Sequence, residues 1–193
     1  MKATALGRYL SSDDPLVSAS NAIAFLIACN LPLYPLTLWL ATGANTLPTF
    51  LTALNTPVFL AVPAVARRHA LAGRVLLIVV GTANAFVSIK VLGQATGVVV
   101  FLGPCLLAAL LAFRRNERFT SWALFGLIVV AFVGLHGRLG EPIQPWAPDD
   151  YTAVVRVNAV SVALLTAFVG FALVRARAAD RSLARSSTSA QGL

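Results

Sequence analysis

Charge is what this sequence has least of. Charged side chains make up 11% of its 193 residues, against about a quarter in an ordinary soluble domain. Acids are scarcer than bases, with 7 Asp and Glu beside 15 Lys and Arg. All seven acids fall outside the long apolar runs, so no paired carboxylate and no Ser/His/Asp set is on offer for catalysis. There are two histidines and two cysteines. Cys29 and Cys105 sit inside apolar runs without metal-ligand spacing and read as small buried hydrophobes. His69 and His136 fall at opposite ends of the predicted spans, which argues against paired haem ligation at one depth. The chain also lacks a glycine-rich loop followed by lysine and any cluster of metal-binding residues. These absences point away from an enzyme and away from a bound cofactor.

Apolar side chains are what remains. They make up 58% of the sequence, and the mean hydropathy is +0.81. A membrane span needs about 20 apolar residues, and six such stretches consume most of the chain. The expected spans run at about Val17–Ala41, Thr49–Ala66, Arg74–Ala95, Val98–Phe113, Thr120–His136 and Thr152–Val174. The first contains Asn30, Pro32 and Pro35, and a kink is expected there, because proline removes a backbone donor and collides with the preceding turn. The second is the least regular, broken by Asn55, Pro57 and Pro63.

Orientation follows from counting bases. On one side of six alternating spans lie Lys2, Arg8, Arg67, Arg68, Arg74, Arg114, Arg115, Arg118, Arg175, Arg177, Arg181 and Arg185, which is 12 of 15. The other side holds only Lys90, Arg138 and Arg156. The positive-inside rule then places both termini in the cytoplasm. The net charge of +8 is a topology signal rather than a nucleic-acid footprint. The expected fold is an all-α integral membrane protein, a six-transmembrane-helix bundle. Residues 1–16 form a cytoplasmic cap, 17–174 the membrane domain, and 175–193 a cytoplasmic tail that begins as a helix. Multi-pass residence in the bacterial inner membrane follows. The hairpins around ARRHALAGR and FRRNERFTSW look alike, but basic turns are common to all inside loops, so duplication stays open.

The stretch Gly81–Cys105 carries the most unusual chemistry. Gly81, Asn84 and Ser88 share one helix face, and Lys90 and Gln94 share another. Lys90 is 16 residues beyond Arg74, roughly 24 Å along a helix, which places it at the outer level with His136, Arg156 and Asn158. An outward-opening pocket made by Asn84, Lys90, Gln94, His136, Arg156 and Asn158 is one reading. The other has Lys90 and Arg156 snorkelling to headgroups while asparagines tie helices together. Trp39, Trp122 and Trp146 fall at span ends, where an aromatic belt is expected. Gly93 and Gly97 make a GxxxG pattern at a span end, weak evidence for a dimer interface.

Two pieces carry a resemblance. VLGQATGVVVFLGPCLLAALLAFRRNERF leads from a glycine-containing turn through an apolar span to a basic turn, and VNAVSVALLTAFVGFALVRARAAD opens at Asn158 and runs into a charged helix. Their order resembles the N-terminal six-span membrane domains of bacterial class III adenylate cyclases, diguanylate cyclases and sensor histidine kinases. Similar domains belong to quorum-sensing kinases that bind small hydrophobic α-hydroxyketones. The resemblance implies a sensor domain, dimeric, that takes a small hydrophobic ligand or a membrane lipid and signals through the helix after the last span. It departs from the family at Val98 and Val99, where a histidine is often found. Nineteen residues follow Val174 in a chain of 193, too few for a cyclase or kinase, so either a freestanding member or the membrane portion of a longer chain is expected. The alternative function is a small transporter or channel built on the broken first and second spans.

Overall fold

The structure, a computed structural model, describes residues 4–191; Lys2, counted above among the bases, lies outside them. Every regular element among the described residues is helical. A short helix α1 (Ala5–Leu10) precedes α2 (Pro15–Asn30), whose start is fixed by Asp14: its carboxylate accepts the amides of Leu16 and Val17 at 2.9 and 3.4 Å, ahead of a proline in the first turn. Three residues later the chain resumes as α3 (Tyr34–Thr42), bent 45° from α2. The expected kink is therefore present, at Pro32 and Pro35.

A 3-10 segment (Leu47–Asn55) runs directly into α4 (Thr56–Arg68), and together they make a largely apolar stretch of 22 residues. Such a long 3-10 stretch is unusual. Its three-residue repeat aligns Thr46, Thr49 and Thr52 on one buried face, while Leu47, Phe50, Leu51 and Leu54 stay exposed. The hydroxyls of Thr49 and Thr52 donate to the carbonyls three residues back at 2.6 and 2.8 Å, so the buried face satisfies itself.

After His69 comes α5 (Ala70–Leu92). A 3-10 turn (Val98–Phe101) then leads into α6 (Leu102–Leu111), a 14-residue apolar stretch shorter than the sequence suggests. The turn Arg115–Glu117 follows, then α7 (Arg118–Leu135) and finally α8 (Pro148–Gln191), 44 residues without interruption. Among the described residues four helices are long and apolar enough to cross a membrane, five if α2 and α3 count as one broken span.

The core is apolar, as in a soluble bundle, but so is much of the surface. Leu40, Leu54, Val130, Val133, Leu164 and Phe171 are exposed, while Ser20, Asn21, Thr82, Ser88, Ser121 and Asn158 are buried. Exposed contiguous apolar surface on this scale belongs against lipid, and buried Ser, Thr and Asn are how helices associate where no hydrophobic drive separates them. The chain has the build of a multi-pass membrane protein.

Two clusters mark the two ends. At one end the loop before α8 folds onto the end of α5. Ile143 and Gln144 donate to the carbonyls of Lys90 and Val91 at 3.1 and 2.8 Å, and the Trp146 indole donates to Leu92 at 3.1 Å. These are the carbonyls that a helix C-terminus leaves without partners. Trp39 and Trp122 are exposed as belt residues are, but Trp146 is only 7% exposed and acts as a helix cap. Asn158 is buried too, accepting from the Tyr34 hydroxyl and donating to the Thr96 carbonyl at 2.8 Å. Asn158→Leu strands both partners, and a loss of about 1–2 kcal/mol is expected in denaturant titrations of the protein in mixed micelles. An unchanged midpoint would show that Asn158 is not the tie between α3 and α8.

Candidate functional site

The bundle contains a cavity of about 520 Å3 bounded by α2, the start of α4, α5, α6 and α8. Two helices face it with the same spacing: Gly81, Asn84, Ala85 and Ser88 from α5, and Ser161, Leu164, Leu165 and Phe168 from α8. Residues at i, i+3, i+4 and i+7 share a helical face. Leu26, Ile27, Asn30 and Leu31 close the side where α2 breaks, Tyr34 and Val98 one end, and Phe59, Phe101 and Cys105 the rest. Leu26, Asn30 and Leu164 are the exposed members of the lining, so the cavity reaches the surface of the bundle at α2 and α8.

Most of the wall is apolar, with a few polar groups among it. Asn84 accepts from the Asn55 amide at 3.1 Å, so its NH2 is not used in that bond. The Ser88 and Ser161 hydroxyls stand one helix each to either side. An apolar wall with few convergent polar groups is the ordinary make-up of a small-molecule site. No group of three or more His, Cys, Asp or Glu among the described residues is placed to hold a metal ion.

The six residues singled out from the sequence are not gathered into one pocket. Asn84 lines the cavity. Asn158 lies just beyond it, linked through Tyr34, which lines it. Lys90 is turned away: its ammonium donates to the carbonyls of Leu139 and Glu141 at 2.9 and 2.7 Å, pinning the loop between α7 and α8. Gln94 lies in the short turn Gln94–Thr96 above α5. His136 and Arg156 are exposed, the former with its ring against Phe132. Of the six, only Asn84 lines this mostly apolar cavity. The physical reason is that a lysine in the last turn of a helix finds loop carbonyls sooner than it finds a cavity.

The opposite, arginine-rich end carries a network that the sequence presents only as topology. Arg74 is 1% exposed, and its guanidinium meets Glu117 in a two-point contact at 2.7 Å on each arm, with a further bond to the Ala112 carbonyl at 2.8 Å. Burial disfavours the charged Glu117, yet the Arg74 hydrogen bonds, the Arg114 amide at 2.8 Å and the two guanidinium charges outweigh it, so its carboxyl lies below the usual range. Arg114 reaches Asp180 on α8 at 2.6 Å and Asp14 at 3.1 Å. Its hydrogen bonds, stronger than the opposing effect of burial, hold the Asp180 carboxyl low as well. Arg177 covers the end of α6, donating to the carbonyls of Leu110, Leu111 and Phe113 at 2.7–2.9 Å. Glu117, the lone acid in RRNER, is the one signal in the sequence that pointed to this.

The same helix therefore lines the cavity at Ser161–Phe168 and is anchored at Arg177 and Asp180 three turns further on. No family model matches the chain, and it has no match among curated proteins or solved structures.

Proposed function

We propose that the chain is a membrane sensor domain whose lateral cavity takes a small amphiphile from the bilayer, a hydrophobic ligand or a lipid, and whose α8 carries occupancy to the arginine-rich end. The observation that carries this reading is the double role of α8, cavity wall and anchored lever in one uninterrupted helix. An apolar ligand body fits between Leu26, Phe59, Leu165 and Phe168, and a single hydroxyl or carbonyl is met by Asn84, Ser88 or Ser161. A ligand moves α8 only to the extent that it binds one packing better than another.

Six spans with both ends of the chain in the cytoplasm remain the topology we favour. The basic turns at Arg67–Arg68 and Arg114–Arg118 support it, as does the pairing of α6 with α7 on either side of the second. At about 1.5–2 Å per residue, Val98–Leu111 covers roughly 23 Å, short of a hydrocarbon core of about 30 Å, a mismatch that local thinning accommodates. We place the domain in the bacterial inner membrane as a homodimer, with α8 beyond Val174 leading to the output. One observation favours the transporter reading instead: the 45° break between α2 and α3 borders the cavity, and broken helices are where transporters bind substrate.

Spin labels at Asn116 and Ala179, with Cys29 and Cys105 replaced by serine, read the lever directly. Ser161→Trp, a permanent occupant of the cavity, is expected to shift or narrow the label–label distance distribution. An identical distribution, together with solute flux from liposomes containing the wild-type chain, would replace the sensor by the transporter.

A further inference from the structure

A second cavity, of about 770 Å3, lies at the arginine-rich end between the α6–α7 turn and α8. Six arginines line it, Arg114, Arg115, Arg118, Arg177, Arg181 and Arg185, against the single carboxylate of Asp180. That carboxylate is already engaged by Arg114, and Arg177 is committed to the carbonyls at the end of α6. Arg115 and Arg118 are exposed and belong to no ion pair among the described residues. Like charges held this close are unfavourable unless an anion joins them.

We propose that this pocket binds the phosphate of an anionic phospholipid. Guanidinium groups offer paired donors that match a phosphate in two-point geometry, and basic pockets between helices on one side of a membrane take anionic headgroups. Free inorganic phosphate presents the same chemistry. The surroundings favour the lipid. Leu16, Leu110 and Phe113 contribute apolar wall to the pocket, and Trp122 lies at its edge, 62% exposed. From Trp122 an apolar stripe continues along α7 through Val130 and Val133, both exposed. Gly126 lies in the same row, where even a Cβ would meet nothing within 4 Å. Residues at i, i+4, i+8 and i+11 share one face, so the stripe offers an acyl chain a track leading away from the headgroup site. A bound lipid bridges the α6–α7 turn and α8, where the lever is anchored.

The test uses the full chain, delipidated in neutral detergent and titrated with short-chain phosphatidylglycerol, with phosphatidylcholine and with inorganic phosphate, bound states being counted by native mass spectrometry. Phosphatidylglycerol is expected to bind at least about tenfold more tightly than phosphatidylcholine, and more weakly as salt rises. The double variant R115Q/R118Q is expected to lose roughly 10- to 30-fold in affinity for phosphatidylglycerol, at about 1 kcal/mol per arginine, and to bind phosphatidylcholine unchanged. Equal affinity for the two lipids, or an unchanged double variant, overturns the proposal. Inorganic phosphate that displaces the lipid at equal concentration overturns it in favour of a free-anion site. If the double variant does not fold, the lipid preference and salt dependence of the wild-type chain still decide.

Discussion

Arg74→Ala is expected to destabilise the protein by about 3–5 kcal/mol, the usual result of removing one member of a buried ion pair. Arg74 is the largest fully buried side chain among the described residues, and its guanidinium ties α5 to the α6–α7 turn through Glu117 and the Ala112 carbonyl. Without it the Glu117 carboxylate, 15% exposed, keeps the Arg114 amide and the nearby Arg114 charge but loses its two-point partner. The double change Arg74→Met with Glu117→Leu leaves no charge behind, and is expected to recover much of the loss. Denaturant titrations in mixed micelles measure both; a double variant as unstable as Arg74→Ala would show that packing around Arg74, not charge, is what matters. The pH dependence has a definite sign. A carboxyl whose folded value is depressed contributes stability that is complete above its ordinary value, near 4, and lost as pH falls through the folded value. Glu117 and Asp180 are both of this kind. Their contributions to stability are expected to be flat from about pH 8 to pH 5 and to fall below about pH 4, with the fall reduced in Glu117→Gln.

Gly73→Val is the second large effect. A Cβ at Gly73 lands 2.6 Å from the Ala66 Cα and 2.9 Å from its amide nitrogen, both backbone. Backbone cannot rotate away as a side-chain tip does, and only a short turn separates the two helices here. Side chains at this crossing must push α4 from α5, at about 1–3 kcal/mol or more for each well-packed core overfilled. Gly134→Ala is the control, since nothing lies within 4 Å of its added Cβ and alanine favours helix by about 1 kcal/mol. A thermal midpoint in detergent that falls by the same amount in both variants would contradict the close approach.

The apolar runs and the break in the first span were legible because they are local. Inside a helix proline removes a backbone donor and crowds the preceding turn, so Pro32 and Pro35 announced the bend without any tertiary information, whereas Pro63 is carried within α4. Part of the site was legible for the same reason: Gly81, Asn84 and Ser88 recur on one face of α5, and that face does line the cavity. Its partner face on α8 was not visible, because Ser161, Leu164, Leu165 and Phe168 look like any lipid-facing row. Lys90 misled through its charge. Its partners are carbonyls 49 and 51 residues away, in a loop whose path no periodicity reveals. Arg74 was read as one more base in an inside turn, since a count of charges does not distinguish a buried guanidinium from a solvated one. Asn158 was found for its polarity and has another place than expected, a tie between α3, α8 and the turn after α5 rather than a pocket wall.

Native mass spectrometry of the wild-type chain and of Ser161→Trp, each released gently from membrane without added ligand, tests the central claim most directly. A small amphiphile is expected to be retained by the wild type and absent from Ser161→Trp, while R115Q/R118Q keeps it. A wild-type chain released empty, or the same molecule retained equally by Ser161→Trp, would contradict the assignment of the lateral cavity as the ligand site.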